Sequence, residues 1–291
     1  EQFGNAYKVQ PDDKPLLINK AYLLQLAKDD ENSLSTWKDV LKNDSTNSFA
    51  LFNLAKLHQD KNDYDNAIQY YKKLIAQKGL SSESLQEAEL ALAYCYQKMK
   101  NYPEAKTTYE KILSEKPNDP MIQYNLAILL IEDKKYKDAI PYLEGAIKNN
   151  FSPSKNAYQA LVEIYSNLND SANLKIAYKN WLEVDKDNVE ARVAFAKFLA
   201  KTGDSLGAIE QYRVAAALDN TSKSRYKLAQ FLLEQKDLYG AVGQFQEYLK
   251  TEPNDTDALI LLANCFRDLH VNEQAQDTYK KIISIQPENH L

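Results

Sequence analysis

The residues of this 291-residue chain with the chemistry for catalysis or metal binding are three histidines, two cysteines and 41 carboxylates. A metal centre or a proton-transfer pair needs several such groups at a defined spacing on one element. His58, His270 and His290 are far apart and have no ligand spacing. No G-x-G-x-x-G, P-loop, H-E-x-x-H, G-x-S-x-G or EF-hand loop occurs. The carboxylates alternate with lysines, the pattern of solvated helix faces. These features assign no catalytic residue, no cofactor and no metal, and they point to a protein that is not an enzyme. Asn19, Asn53 and Asn125 can each donate to and accept from a peptide backbone. Rings such as Tyr22, Phe49, Phe52, Tyr94 and Tyr124 can cover apolar side chains.

Composition narrows the scaffold that could position these groups. Hydrophobic residues make up 44% of the chain and charged residues 26%, the balance of a folded protein rather than a disordered one. Seven Gly and nine Pro are few for an all-β fold or for glycine-rich catalytic loops, so the composition leans towards helix. A net charge of −5, with no basic cluster, argues against a phosphate-neutralising nucleic-acid footprint. The longest apolar runs, such as Ala127–Ile131 and Leu259–Ala263, fall far short of the roughly 18 residues of a membrane span. Direct membrane insertion is not expected.

The positioning elements recur along the chain. Ala67, Ala105, Ala139, Ala208, Ala241 and Ala275 are followed four residues later by Tyr71, Tyr109, Leu143, Tyr212, Phe245 and Tyr279. Ser33 with Trp37 and Leu174 with Tyr178 are poorer members of the same set. A second small column comprises Ala21, Ala55, Ala93, Ala127, Val162, Ala196, Ala229 and Ala263, at spacings of 34, 38, 34, 35, 34, 33 and 34 residues. Around it the apolar residues follow i, i+3, i+4, i+7 steps, as in Leu51–Leu54–Ala55–His58, the stripe of an amphipathic helix. Each unit is therefore two antiparallel helices, with Ala where they approach closely and a ring beside it. One pair cannot bury its own apolar face, so stacking must supply the core. His58 shares its column with Tyr96, Leu130, Tyr165, Leu199, Leu232 and Phe266, which gives it a packing role. Cys95 and Cys265 also share a column, five repeats apart. At roughly 8–10 Å per helix layer they lie beyond the about 7 Å that a disulfide spans. Buried free thiols suit a reducing compartment and favour a cytoplasmic over a periplasmic location.

These columns, held in register over eight units, resemble the tetratricopeptide repeat family. The resemblance implies an all-α fold, a right-handed α-solenoid of stacked antiparallel helix pairs. A single solenoid is expected over residues 1–291, with repeats at approximately 14–47, 48–85, 86–119, 120–154, 155–188, 189–221, 222–255 and 256–289. Residues 1–13, with Phe3 in the ring column and Pro11 in the closing-proline column, read as the second helix of a truncated preceding repeat. Almost nothing follows the closing Pro287, so the chain reads as a fragment of a longer array. The 38-residue step places about four extra residues in the connector around Gly79–Gln86. The repeat beginning near Lys155 has Val162 and Leu174 where small residues belong, and a shifted packing angle is expected there.

The resemblance also turns the first helix of each repeat towards a concave groove. In the N-terminal half the groove positions are apolar and aromatic, including Ile18 and Ile131. The candidate partner-binding set is Asn19, Tyr22, Phe49, Phe52, Asn53, Lys56, Leu90, Tyr94, Met121, Tyr124, Asn125 and Ile128. In the C-terminal half the same positions are polar and mixed, among them Glu190, Lys197 and Lys223. The family's chaperone-binding members grip a C-terminal carboxylate with Lys and Asn over three consecutive repeats. Lys223 and Lys227 match the last of these, but Gln159, Glu163 and Ala194 stand where the others belong. The expected function is a protein-interaction scaffold holding an apolar extended or helical segment of a protein or peptide partner, without nucleic acid. The alternative is the recruiting arm of a larger enzyme or envelope export and assembly machine, of the sugar-transferase or polysaccharide and pilus type. Self-association through the terminal repeat faces is a third reading.

Overall fold

The computed structural model describes residues 14–219 and 221–287, and the expectation for Phe3, Ala6 and Pro11 lies outside the described residues. The described residues form helices and turns without strands. The helices are α1 (Lys14–Leu26), α2 (Asp30–Asn43), α3 (Ser48–Asp60), α4 (Tyr64–Ile75), α5 (Ser82–Lys98), α6 (Tyr102–Glu115), α7 (Pro120–Glu132) and α8 (Tyr136–Lys148). They continue as α9 (Ser154–Asn167), α10 (Ser171–Val184), α11 (Val189–Lys201), α12 (Ser205–Leu218), α13 (Lys223–Glu234), α14 (Leu238–Tyr248), α15 (Thr256–Asp268) and α16 (Asn272–Ile285). Odd-numbered helices are the first members of their pairs and even-numbered helices the second. The chain divides into two compact units between Leu168 and Asn169, so α1–α9 belong to one and α10–α16 to the other. The division runs through the repeat that carries Val162 and Leu174. Within each unit, consecutive helices pack on one another as an α-solenoid.

One turn design joins the helices of a pair. Lys28, Asn62, Lys100, Lys134, Gly203, Lys236 and His270 all have positive φ, between 58° and 85°. The residue after each sends its N–H back five residues: Asp29 to Leu24 O at 2.9 Å, Asp63 to His58 O at 2.8 Å, Asp237 to Leu232 O at 2.9 Å. This ends the first helix by satisfying one of its last carbonyls. In several repeats the same donor residue then caps the second helix. The carboxylates of Asp63, Asp204 and Asp237 accept from the N–H groups of Asn66, Gly207 and Gly240. Glycine would hold the left-handed position without strain, yet only Gly203 of these seven is glycine.

The small columns are where the helices close on each other. Ala21, Ala55, Ala93, Ala127, Ala196, Ala229 and Ala263 are fully buried on first helices, as are Ala67, Ala105, Ala139, Ala208 and Ala241 on second helices. A larger side chain at any of them would have to push two helices apart. Ser33 fills its place in the column by donating its hydroxyl to Ala21 O at 3.0 Å. The rings four residues on, including Trp37, Tyr71, Tyr109, Tyr212 and Phe245, fill the space beside the close approach and are buried.

The long 38-residue step is accommodated differently from expectation. The connector occupies only residues 76–81, and residues 82–86 are helical, so α5 runs to 17 residues. The Ser81 hydroxyl accepts from Ser84 N at 3.1 Å and starts the helix early. Helix-prone Leu85, Gln86, Glu87 and Ala88 then carry it on.

Candidate functional site

The twelve candidate residues all lie on first helices of the N-terminal unit. Asn19 and Tyr22 are on α1, Phe49, Phe52, Asn53 and Lys56 on α3, Leu90 and Tyr94 on α5, and Met121, Tyr124, Asn125 and Ile128 on α7. Their exposure separates them into two groups. Tyr22 is 45% exposed, Phe49 53%, Tyr94 39% and Met121 50%, and Asn19 and Lys56 are also exposed. Each of the first helices α1, α3, α5 and α7 thus presents at least one large apolar side chain to solvent.

The second group supports the first from below. Phe49 rests on the buried Trp37 with ring centroids 5.9 Å apart, and the half-buried Phe52 meets the Tyr71 ring edge-on at 6.2 Å. Tyr124 stacks on Phe151 at 4.2 Å, and burial pushes its phenol pKa upward. Asn53 is buried, and its amide donates to Phe49 O in its own helix at 2.8 Å. Leu90, Asn125 and Ile128 are half-buried. Lys98 lies over the Tyr94 ring, 5.2 Å from its centroid, and places a cation at the edge of the apolar row.

Leu23 and Leu26 on α1, 42% and 63% exposed, extend the row and were missed. A signal for Leu26 was present, because the same column holds Asp60, Lys98 and Glu132 in the next three repeats. An apolar residue where the others are charged has no stacking role to explain it. Sequence reasoning also gave His58 packing alone. It is buried and stacks on Tyr70 at 5.5 Å, but its Nδ1 also pairs with Asp63 Oδ2 at 2.8 Å. The end of α3 is thereby tied to the cap of α4. A second internal pair, Lys111 Nζ to the buried Glu89 at 2.5 Å, joins α6 to α5. Both cysteines are free and buried, and burial pushes the Cys95 thiol up to about 12 and the Cys265 thiol upward. Neither thiol is poised for chemistry. No group of three or more His, Cys, Asp or Glu that could hold a metal occurs among the described residues. No helix among them is long and apolar enough to cross a membrane.

Comparisons with known proteins agree with this architecture. The BBSome complex member BBS4 of Bos taurus is 27% identical over 214 residues, covering 73% of this chain and 40% of that protein. The outer membrane protein assembly factor BamD of Buchnera aphidicola is 23% identical over 172 residues, 57% of this chain and 69% of BamD. The chain spans between 17% and 40% of the length of the first curated relatives it matches. The crystal structure of the C-terminal part of a TPR repeat-containing protein from Cytophaga hutchinsonii has the same fold. Its TM-score is 0.66 at 12% identity, over 84% of this chain and 99% of that one. Residues 58–129 match the tetratricopeptide repeat family. Paired helices, buried alanine columns and a left-handed turn recurring at seven of the connections support a tetratricopeptide repeat protein, the family that residues 58–129 match.

Proposed function

We propose that this chain is a non-enzymatic scaffold that binds an apolar, extended or helical segment of a protein partner along the first helices of its N-terminal unit. The tetratricopeptide fold supports a protein-interaction scaffold. The observation that carries the finer reading is the row Tyr22, Phe49, Tyr94 and Met121, each 39% or more exposed on successive first helices. Affinity comes from burial of these side chains, and Lys56, Asn19 and Asn125 contact polar groups of the segment. Asn53 acts as support, since its amide is bonded to its own helix.

The test uses segments selected on the chain from a displayed peptide library. Phe49→Ala with Tyr94→Ala removes two exposed anchors, and helicity reports whether the core around Trp37, on which Phe49 rests, is kept. At about 2 kcal/mol for each anchor, a micromolar interaction weakens to the millimolar range or beyond. Unchanged affinity in a double variant of normal helicity refutes the reading. Phe52 and Tyr124 are poorer probes, because they are half-buried and their rings pack on Tyr71 and Phe151.

A second reading draws on the similarity to BamD. In that reading the chain is the recruiting arm of a larger enzyme or envelope assembly machine, and the same apolar row does the recruiting. The sequence of the complete gene decides it, since a catalytic or barrel domain beyond these repeats is required.

A further inference from the structure

On each first helix of the N-terminal unit, two positions seven residues apart share one stripe with the apolar row. They are Pro15 and Tyr22 on α1, Phe49 and Lys56 on α3, Glu87 and Tyr94 on α5, and Met121 and Ile128 on α7. All are exposed except Ile128, which is half-buried. Between the two positions of each helix lies a half-buried side chain: Ile18, Phe52, Leu90 or Tyr124. The face thus has an upper line of outlying side chains (Tyr22 to Ile128), a lower line (Pro15 to Met121) and a recessed apolar floor. Seven residues, two helical turns, set the lines about 10.5 Å apart.

The large exposed anchors alternate between the lines. Tyr22 and Tyr94 stand on the upper line, Phe49 and Met121 on the lower. An extended segment occupies less than about 5 Å of width, so along one line it meets an anchor on every second helix only. An α-helix with its side chains is about 10–12 Å across. Laid along the floor, it reaches both lines and meets one anchor on each of the four helices. Lines and floor carry two charges, Lys56 on the upper line and Glu87 on the lower. Neither forms an ion pair among the described residues. Asp60, Lys98 and Glu132 lie one turn beyond the upper line, with alternating sign.

We propose that the partner segment is bound as an amphipathic α-helix, its apolar face on the floor, an acidic flank towards Lys56 and a basic flank towards Glu87. This rests on the apolar row being the binding site, and it selects the helical over the extended form. The opposite charges on the two lines fix the direction in which the helix lies, because the reversed helix brings like charges together. An occupant acidic on both flanks is disfavoured at Glu87, and one basic on both flanks at Lys56.

The experiment titrates the full chain with acetylated and amidated peptides of about 18 residues, roughly 27 Å long as helices. The first has leucines at i, i+3, i+4 and i+7 steps, glutamate along one flank and lysine along the other, and a hydrocarbon crosslink on its outer face that locks the helix. The second has the same residues with two central prolines and no crosslink. The third is the locked helix with glutamate on both flanks. The first is expected to bind saturably, the second at least tenfold more weakly and the third several-fold more weakly. Glu87→Lys reverses the order of the first and third, with helicity unchanged because Glu87 is exposed. Equal binding of the proline peptide overturns the helical form, and so does absence of binding by the locked helix to a chain that still captures library-selected segments. Preference of the unaltered chain for the third peptide overturns the flank assignment. In each of these cases the apolar row stands as the site if Phe49→Ala with Tyr94→Ala weakens whatever binding is seen. Binding of the locked helix that ignores this double variant overturns both the proposal and the site on which it rests.

Discussion

The two units use one architecture and display opposite surfaces. In the N-terminal unit the large apolar side chains exposed on helices belong to first helices, as Tyr22, Leu23 and Leu26 on α1, Phe49 on α3, Tyr94 on α5 and Met121 on α7 show. In the C-terminal unit, among the described residues, they belong to second helices: Ile176 and Val184 on α10, Leu206 on α12, Tyr239 on α14 and Ile283 on α16. The first helices there carry Glu190, Lys197, Lys223 and Lys227 instead. The buried alanines and rings are the same in both units. Stacking therefore fixes one set of positions and leaves another free, and the free set is where the units differ.

The largest effect tests the shared part of the comparison. Trp37→Ala in the N-terminal unit and Phe245→Ala in the C-terminal unit each empty a fully buried ring site. Each is expected to cost about 3–5 kcal/mol, read by urea unfolding. A value near zero in either unit would mean that the ring column does not carry the stack there.

A smaller effect distinguishes the units. Lys111→Met leaves the buried Glu89 carboxylate without its partner in the N-terminal unit. Lys111 is itself half exposed, so the cost falls between that of a buried and a surface pair, about 2 kcal/mol. Lys175→Met, whose partner Asp204 is partly exposed in the C-terminal unit, is expected to cost clearly less in the same unfolding assay.

The turns give the smallest sequence-specific effect. Gly203→Ala is expected to lose about 1 kcal/mol and Lys100→Gly to gain a similar amount, since both residues sit at positive φ. Thermal melts of the two variants should move in opposite directions. Acid sensitivity should be common to both units. The Asn66 side chain holds Asp63 below the usual carboxylate range, the Asn173 side chain does so for Asp170, and Lys175 for Asp204. A carboxylate lowered by folding stabilises above its unfolded pKa of about 4 and loses that contribution as pH falls through the folded value. Melting temperature should thus drop with pH below about 4, and Asp63→Asn or Asp204→Asn should flatten the drop.

Much of the fold was legible because stacking repeats its demands. An alanine recurring near every 34 residues, with a ring four places after its partner column, permits little except paired helices. The turns were not legible, since lysine, asparagine and histidine occupy a left-handed position that glycine would have advertised. The early start of α5 was hidden as well, because a serine cap and a connector use the same residue types. For the candidate site, the columns located the face but not the depth of each side chain. Asn53 and Tyr94 occupy neighbouring positions on that face, yet one is buried against its own helix and the other is open. Exposure depends on neighbours from other repeats, which a single column does not contain.

The central claim is that the N-terminal unit's first helices recognise the partner segment. Site-specific photo-crosslinking tests it most directly, with a photoreactive side chain placed in turn at positions 49, 94 and 121, and at 206 and 239 as the comparison set. Presented with a selected apolar segment, the account predicts adducts from the first three positions and none from the other two. Adducts from positions 206 and 239, with none from 49, 94 and 121, would contradict it.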